Sequence, residues 1–448
     1  MKFYNREQEL NTLNDIYKQC RDSYGKITVL TGRRRIGKTL LAKKYAEDKD
    51  HLYLFTSKKA EKLICDEFLI EYEDFINEKH IGKIDRFSEL FELLLIVGTK
   101  KEYVLIIDEF QEFKNINKST FSEIQKLWDK YKFKTHVHII FIGSIYSLMT
   151  EIFQNEKEPL YGRADRIFYI KPFKPNTIKE ILEDYDSYTE ENLFYNFLIT
   201  GGVPRYQELL YENGNFTKEN IINQIFQRDS FFIEEGRSLL IQEFGKEYGI
   251  YFSILELISS GKTSRSEIEA ILEKSVGGYL ERLENEYDVV VKVKPIGVKK
   301  DSRNQKYTIK DNFIRFWFRF IYKNMTIIQN ERFEYIKQLI ERDISTYAGP
   351  ILEKLFIEIM NNSPKYGLIG TYWERGNLNE IDIVAIDDLL QEIYFAEVKL
   401  NKDKIKMNKL KEKTEKIHKK YTGYNAIYEG LSITDIDRKI KENNITKP

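Results

Sequence analysis

Gly32-Arg33-Arg34-Arg35-Ile36-Gly37-Lys38-Thr39 constrains this chain more than any other stretch. The spacing matches the phosphate-loop pattern G-x-x-x-x-G-K-[ST] at every required position. Ile27-Thr28-Val29-Leu30 before it reads as a short buried strand, and Leu40 to Ala46 after it reads as a helix. A strand, a glycine loop and a helix N-terminus together place backbone N–H groups around phosphates. Gly32, Arg33, Arg34, Arg35, Ile36, Gly37, Lys38, Thr39 and Leu40 are the expected nucleotide-binding residues. Lys38 is assigned to the β- and γ-phosphates, and Thr39 to Mg²⁺. A second Gly-Lys-Thr, Gly261-Lys262-Thr263, has Glu256 at the first glycine position and follows a helical stretch, so it is set aside.

Val104-Leu105-Ile106-Ile107-Asp108-Glu109 is an apolar strand ending in two acids. Adjacent carboxylates at the end of a buried strand are costly unless a cation sits there. Asp108 is assigned to Mg²⁺, and Glu109 to polarising the attacking water. The next apolar run, Val137 to Ile142, leads to Gly143-Ser144. Ligands lie at the carboxyl ends of strands in open α/β sheets. Ser144 is therefore either a γ-phosphate sensor or the N-cap of the following helix, and both roles stay open. Further on, Arg163 is the first candidate for an arginine that stabilises transferring phosphoryl charge, in cis or in trans, with Arg166 second. A surface ion pair is the competing role for both.

The length of 448 residues suggests about three domains. Equal numbers of basic and acidic residues, 71 each, remove any global basic field, so DNA contact has to come from local patches. Cys20 and Cys65 have no metal spacing and read as thiols of a reducing compartment. No apolar run approaches the roughly 20 residues of a membrane span, and the first residues lack a signal-peptide core. No membrane association is expected, and the expected location is the cytoplasm.

The strand–helix alternation ends near Pro172-Phe173-Lys174-Pro175. The expected division is 1–170 as a nucleotide-binding core, 171–245 as a helical lid, 246–312 as a winged helix-turn-helix, 313–344 as an aromatic helical linker, and 345–448 as a second α/β domain. Gly201-Gly202-Val203-Pro204 reads as a turn fixing the lid, with Arg205 a structural residue or a nucleotide sensor. In 246–312, three helical segments precede Val289 to Val293, a polar turn and Tyr307 to Ile309. Lys299, Lys300, Arg303 and Lys306 in that turn could contact phosphates, whereas Glu281, Glu284 and Glu286 on the presumed recognition helix favour a protein partner. Phe313 to Phe320 is densely aromatic and reads chiefly as a core helix between domains.

Glu380 to Ala385 and Ile393 to Lys399 read as two strands. Alternation puts Glu397 and Lys399 on one face, and pairing as a hairpin brings Asp382 to them. Two carboxylates make a Mg²⁺ site, and the lysine orients or activates water. This is the PD-(D/E)xK arrangement of nucleases, with Glu353 on an upstream helix as a further acid. Solvated charges on an edge hairpin are the alternative.

Taken in order, the phosphate loop, Ile-Ile-Asp-Glu, Gly-Ser, Tyr-Gly-Arg, Gly-Gly-Val-Pro, the winged-helix pattern, Phe-Trp-Phe-Arg-Phe and Glu-Ile-Asp-Ile-Val-Ala with Glu-Val-Lys resemble a known family. It is the archaeal-type ATPases of the AAA+/STAND-related group that carry a restriction-endonuclease-like C-terminal domain. The resemblance implies an α/β fold: a parallel P-loop NTPase sheet with a helical lid, a winged helix and a nuclease-like domain. It implies ATP hydrolysis by Lys38, Thr39, Asp108 and Glu109, and a nuclease-type site at Asp382, Glu397 and Lys399. ATP and Mg²⁺ are the expected cofactors and DNA the expected partner. A protein partner at the winged helix and a homo-oligomer are compatible with the same pattern. The competing function is a nucleotide-dependent switch that binds DNA or protein without cleaving.

Overall fold

The computed structural model describes residues 2–245, 248–299, 302, 304–376 and 378–443. Two compact units emerge, residues 5–171 and residues 172–448 with 1–4.

The first unit is built on five parallel strands: β1 (Lys26–Thr31), β2 (His51–Phe55), β3 (Tyr103–Asp108), β4 (Val137–Ile142) and β5 (Arg166–Tyr169). Their order is β2-β3-β4-β1-β5. Every residue of β1, β3 and β4 is buried, as expected for parallel strands covered on both faces by helices. The edge strand β2 instead alternates between buried and exposed residues. The rings of Phe110 and Phe141 lie 4.0 Å apart within a core that also buries Trp128 fully. This sheet delivers the carboxyl ends of β1, β3 and β4 to one rim, which is where the phosphate loop and the two acids sit.

His138 on β4 is fully buried, between Thr28 Oγ1 at 2.8 Å from Nε2 and the Tyr45 hydroxyl at 2.8 Å from Nδ1. It thereby ties β1, β4 and the Lys38–Ala46 helix together. Burial, with a smaller contribution from Lys49, lowers its pKa to about 3. The folded chain thus keeps this imidazole neutral where the unfolded chain, with a pKa near 6.5, takes up a proton. Stability from this group is complete above pH ~6.5 and falls by about 1.4 kcal/mol per unit as the pH drops toward 3. His138→Gln is therefore expected to flatten the loss of thermal stability between pH ~6.5 and ~4.5 relative to wild type. Parallel pH profiles for the two proteins would contradict a neutral buried imidazole.

The second unit opens with helices from Pro175 to Phe244. Gly202, at φ 77°, passes so close to Phe173 that a Cβ there would lie 2.2 Å from its carbonyl oxygen. Three helices follow, Tyr248–Ser259, Arg265–Leu272 and Gly277–Asn285, the second opened by a capping box of Ser264 and Glu267. An antiparallel hairpin of β6 (Val290–Val293) and β7 (Lys306–Ile309) comes next. The aromatic stretch is core: Phe313, Phe316, Trp317, Phe318 and Phe320 are all buried. The Trp317 indole N–H donates to the Ile233 carbonyl at 2.8 Å and lies against Gly236, where a Cβ would come within 2.3 Å of the ring.

A 28-residue helix, Phe333–Met360, spans the expected junction at 344 and continues through Pro350. It packs on a sheet of β8 (Leu368–Tyr372), β9 (Ile381–Asp387), β10 (Glu392–Val398) and β11 (Asn425–Leu431), in the order β11-β10-β9-β8. β8, β9 and β10 are antiparallel neighbours, while β10 and β11 run parallel through the Met407–His418 helix. Ile383, Ala385, Tyr394 and Ala396 face the core shared with the long helix, and Val384, Ile386, Ile393 and Phe395 face Leu410 and Ile417 of the crossover helix.

Candidate functional site

The phosphate loop leaves β1 at Thr31. Gly32, at φ 142°, admits no side chain, because a Cβ would sit 2.5 Å from the Ile170 carbonyl oxygen. Gly37 takes a left-handed conformation, φ 89°, at the N-cap of the Lys38–Ala46 helix. Arg35 is also left-handed, at φ 70°. Ile36 is buried under the loop, and Leu40 is exposed. The Lys38 ammonium is buried and folds back on its own loop, donating to the Gly32 and Arg33 carbonyls at 2.8 Å each. Phosphate oxygens are the stronger acceptors for this cation, so nucleotide has a donor to capture.

Thr39 Oγ1 donates to Asp108 Oδ2 at 2.6 Å, and the Tyr53 hydroxyl donates to the same oxygen at 3.0 Å. A hydroxyl and a carboxylate oxygen in contact at the loop are the hard oxygen donors that Mg²⁺ takes. Glu109 occupies a left-handed conformation, φ 52°, uncommon for a side chain of its size. Its carboxylate accepts from Ser144 Oγ at 2.7 and 3.0 Å and from Gln111 Nε2, and the Arg34 guanidinium lies 4.0 Å away. Arg34 Nε also donates to Ser144 Oγ at 3.3 Å. Of the two roles open for Ser144, capping is not the one adopted: the helix begins at Tyr146, with Ile145 as an N-cap lacking a side-chain bond. The hydroxyl turns to Glu109 instead.

Lys38, Thr39, Asp108, Glu109 and Ser144 are thus brought to one rim. Arg163 and Arg166 are not. Arg163 pairs with Asp129 at 3.1 Å and donates to the Tyr161 carbonyl. Its near neighbour Asp165 accepts from the Ile27 amide, at the amino end of β1. Arg166 sits opposite Thr28 on β5, with its guanidinium over the Phe168 ring. Arg163 lies toward the end of β1 remote from Gly32, and Arg166 sits beside the middle of β1 with its guanidinium turned to Phe168, so among the described contacts neither reaches this chain's own phosphate loop. Tyr53 and Gln111 are the residues that motif reading misses; Arg34 is expected at the nucleotide, and here it reaches Ser144 and Glu109. Tyr53 lies on β2, whose His-Leu-Tyr-Leu-Phe alternation was the available signal.

In the second unit, β9 and β10 form the anticipated hairpin, and its register carried one step past Ala396↔Ile383 sets Glu397 opposite Asp382. The Lys399 ammonium lies 3.1 Å from Asp382 Oδ2 and 3.5 Å from Glu397 Oε1. Asp382 Oδ2 also accepts from the Val398 amide at 2.7 Å, and Glu397 Oε2 from the Lys406 amide at 2.9 Å. Burial opposes the charge on Lys399 but is outweighed by Asp382, Glu397 and Glu353, so its pKa is raised. Glu353, on the long helix, is pushed up to about 8 by burial, then by Asp382 and Glu380. A lysine already bridging two carboxylates shows that the pair attracts a cation. Among the described residues no group of three or more His, Cys, Asp or Glu side chains is placed to hold a metal ion by itself.

The hairpin turn between β6 and β7 is anchored to this sheet. Ile296 is buried in its core, and the Ile296 amide donates to the Thr371 carbonyl at 2.9 Å. The Trp373 indole donates to Asn304 Oδ1 at 2.9 Å, and Lys306 pairs with Glu380 at 2.7 Å. Lys306 is therefore occupied, Lys299 is exposed, and Lys300 and Arg303 lie outside the described residues. Arg205 pairs with Glu208. No helix among the described residues is long and apolar enough to cross a membrane.

Residues 3–210 match the family described as an ATPase domain predominantly from Archaea. Protein MJECL04 of Methanocaldococcus jannaschii is 31% identical over 407 residues, spanning 89% of this chain and 87% of the relative. This chain belongs to the archaeal ATPase family. The phosphate loop, Asp108 and Glu109 of this archaeal ATPase are the elements of such a domain, and ATP is the nucleotide it takes. Residues 317–417 match a second family, described as "Archaea bacterial proteins of unknown function". The ATP-binding protein MJECL26 of the same archaeon is 28% identical over 232 residues, 44% of this chain and 65% of the relative. In fold, the Walker-type ATPase PABY2304 of Pyrococcus abyssi is similar, with a TM-score of 0.53 at 18% identity over 70% of this chain and 96% of the other.

Proposed function

We propose that this archaeal ATPase couples ATP turnover to Mg²⁺-dependent cleavage of DNA phosphodiester bonds, with cleavage at Asp382, Glu397 and Lys399. The observation that carries the reading is the second site: two facing strand carboxylates bridged by one lysine. That donor set suits phosphodiester chemistry, in which two carboxylates face the phosphate and a lysine faces the water or the developing charge.

At the first site Lys38 exchanges its two loop carbonyls for β- and γ-phosphate oxygens. Thr39 and Asp108 would hold a divalent cation, and Asp382 and Glu397 another; such ions neutralise phosphate charge and lower the pKa of bound water. Glu109 accepts hydrogen bonds from Ser144 and Gln111 in the present arrangement. To orient water it must turn toward the γ-phosphate, with Ser144 free to follow the same phosphate. Arg163 is assigned to another subunit's nucleotide, in trans. The chain from 171 onward is read as a helical lid at 171–245, a winged helix at 246–312, an aromatic linker at 313–344 and a nuclease-like domain at 345–448, of which 246, 247, 300, 301, 303, 377 and 444–448 are outside the described residues. Supercoiled plasmid incubated with purified protein, Mg²⁺ and ATP is expected to be nicked or linearised. Intact plasmid in Mg²⁺ and in Mn²⁺, with and without ATP, would reject the reading.

The anchored hairpin favours one other reading. A winged helix whose turn is held by Ile296, Asn304 and Lys306 suits a nucleotide-dependent switch that binds a partner without cleaving. Under that reading the affinity for DNA or a protein partner responds to ATP in wild type and does not respond in Lys38→Ala.

A further inference from the structure

The segment from Lys399 to Lys420 carries ten lysines against three carboxylates in a chain whose formal charge is zero. Its lysines are not evenly spread. Lys406, Lys409, Lys413, Lys416 and Lys420 recur at intervals of three, four, three and four, which places Lys409, Lys413 and Lys416 on one flank of the Met407–His418 helix, with Lys406 and Lys420 just beyond its ends. The Met407–His418 helix buries Leu410, Thr414 and Ile417 against the sheet. Glu412 and Glu415 fall on the other flank. Among the described residues no carboxylate lies within ion-pair distance of Lys406, Lys409 or Lys413. Lys416 pairs with Glu374 at 2.6 Å, and its own exposed ammonium can exchange that partner readily.

The row has two fixed ends. At one, the Lys406 amide donates to Glu397, a carboxylate of the cleavage site. At the other, Lys420 Nζ reaches the Gly297 carbonyl at 3.2 Å, in the hairpin turn that exposes Lys299. Its helical members, Lys409, Lys413 and Lys416, span about 10 Å along the helix axis, the length of about three base pairs of duplex, with Lys406 and Lys420 just beyond the helix ends.

We infer that this lysine row is a docking track for the phosphate backbone of a nucleic acid, leading a strand from the hairpin turn to Asp382 and Glu397. The choice of partner rests on the cleavage reading of that site. An anionic membrane fits the row less well. A helix lying on a bilayer needs its apolar face outward, whereas Leu410 and Ile417 are committed to the core.

The test is a fluorescence-polarisation titration of the full chain with a short labelled DNA duplex in EDTA, repeated over a range of salt concentrations. Lys409→Gln with Lys413→Gln should weaken binding and make the slope of log K against log salt shallower by about 1.8, some 0.9 for each phosphate contact removed. Lys411→Gln with Lys419→Gln, on the other flank, should leave both quantities unchanged. Equal losses in the two double variants, or no loss in either, would overturn the track. So would wild-type binding to phosphatidylserine vesicles but not to DNA. Thermal melting of each variant separates lost contacts from lost folding. Binding in EDTA needs no cleavage, so row-dependent binding by a protein that never cuts DNA would retain the track and reject the cleavage reading. Cleavage with row-independent binding would do the reverse.

Discussion

Lys38→Ala is expected to abolish ATP turnover, with a loss of at least roughly 10²–10³-fold, the cost of removing one pre-aimed donor from a charged phosphate site. The effect should appear in binding as well as in rate. Nucleotide that binds only the folded state stabilises it by about 2.7 kcal/mol when present at 100 times its dissociation constant. Wild type should therefore melt at a higher temperature with ATP, and Lys38→Ala should not. The substitution also releases the Gly32 and Arg33 carbonyls, which now accept from the ammonium. Lys38→Met keeps the buried stem and tests whether that release alone matters. The same loss of response in both variants, with unchanged melting in the absence of nucleotide, assigns the effect to the phosphates. A full ATP-dependent shift in either variant would contradict the assignment.

Asp382→Ala carries the other large effect, on the second site. Removal of one of two carboxylates should lower cleavage by roughly 10²–10⁴-fold, the equivalent of several kcal/mol of phosphate charge stabilisation. ATP turnover should be unaffected, since every residue assigned to it belongs to the first unit. The alanine also strips the Val398 amide of its acceptor, so some stability is lost with it. Asp382→Asn preserves an acceptor of the same size for that amide while removing the charge. Loss of cleavage in both variants, with ATP turnover intact, is the expected pattern. Cleavage at wild-type rate in Asp382→Asn would place the chemistry elsewhere.

Motif spacing made one rim of the molecule legible. β1, β3 and β4 are continuous apolar runs ending in chemically marked residues, and such strands announce themselves. β2 does not, because an edge strand alternates and His51 to Phe55 has no motif attached. Tyr53, which touches Asp108, was hidden with it. β5 is obscured for a different reason: only its first residue, Arg166, stands out, as a candidate arginine rather than as the start of a strand. Arg163 illustrates the limit of motif order, since chain proximity to a strand says nothing about which end of the sheet a side chain reaches. Ser144 was ambiguous because a hydroxyl before a helix serves equally as cap or sensor, and only the position of Glu109 separates the two.

The second unit was legible where alternation and charge coincide. Asp382, Glu397 and Lys399 come together because β9 and β10 pair in the register that their apolar faces dictate. The anchoring of the hairpin turn could not be read, since the burial of Ile296 and the Asn304–Trp373 contact join residues about 70 positions apart. Pro350 disguised the long helix. A proline commonly marks a first turn, yet here Ala348, Ile351 and Leu352 are all buried and the helix passes through it.

The most direct test of the account is the rate of plasmid cleavage in Mg²⁺ by wild type and by Lys38→Ala, each with and without ATP. ATP-gated chemistry predicts that ATP changes the wild-type rate and leaves the Lys38→Ala rate untouched. Equal responses to ATP in the two proteins, or a wild-type rate indifferent to ATP, would contradict the coupling of the two sites.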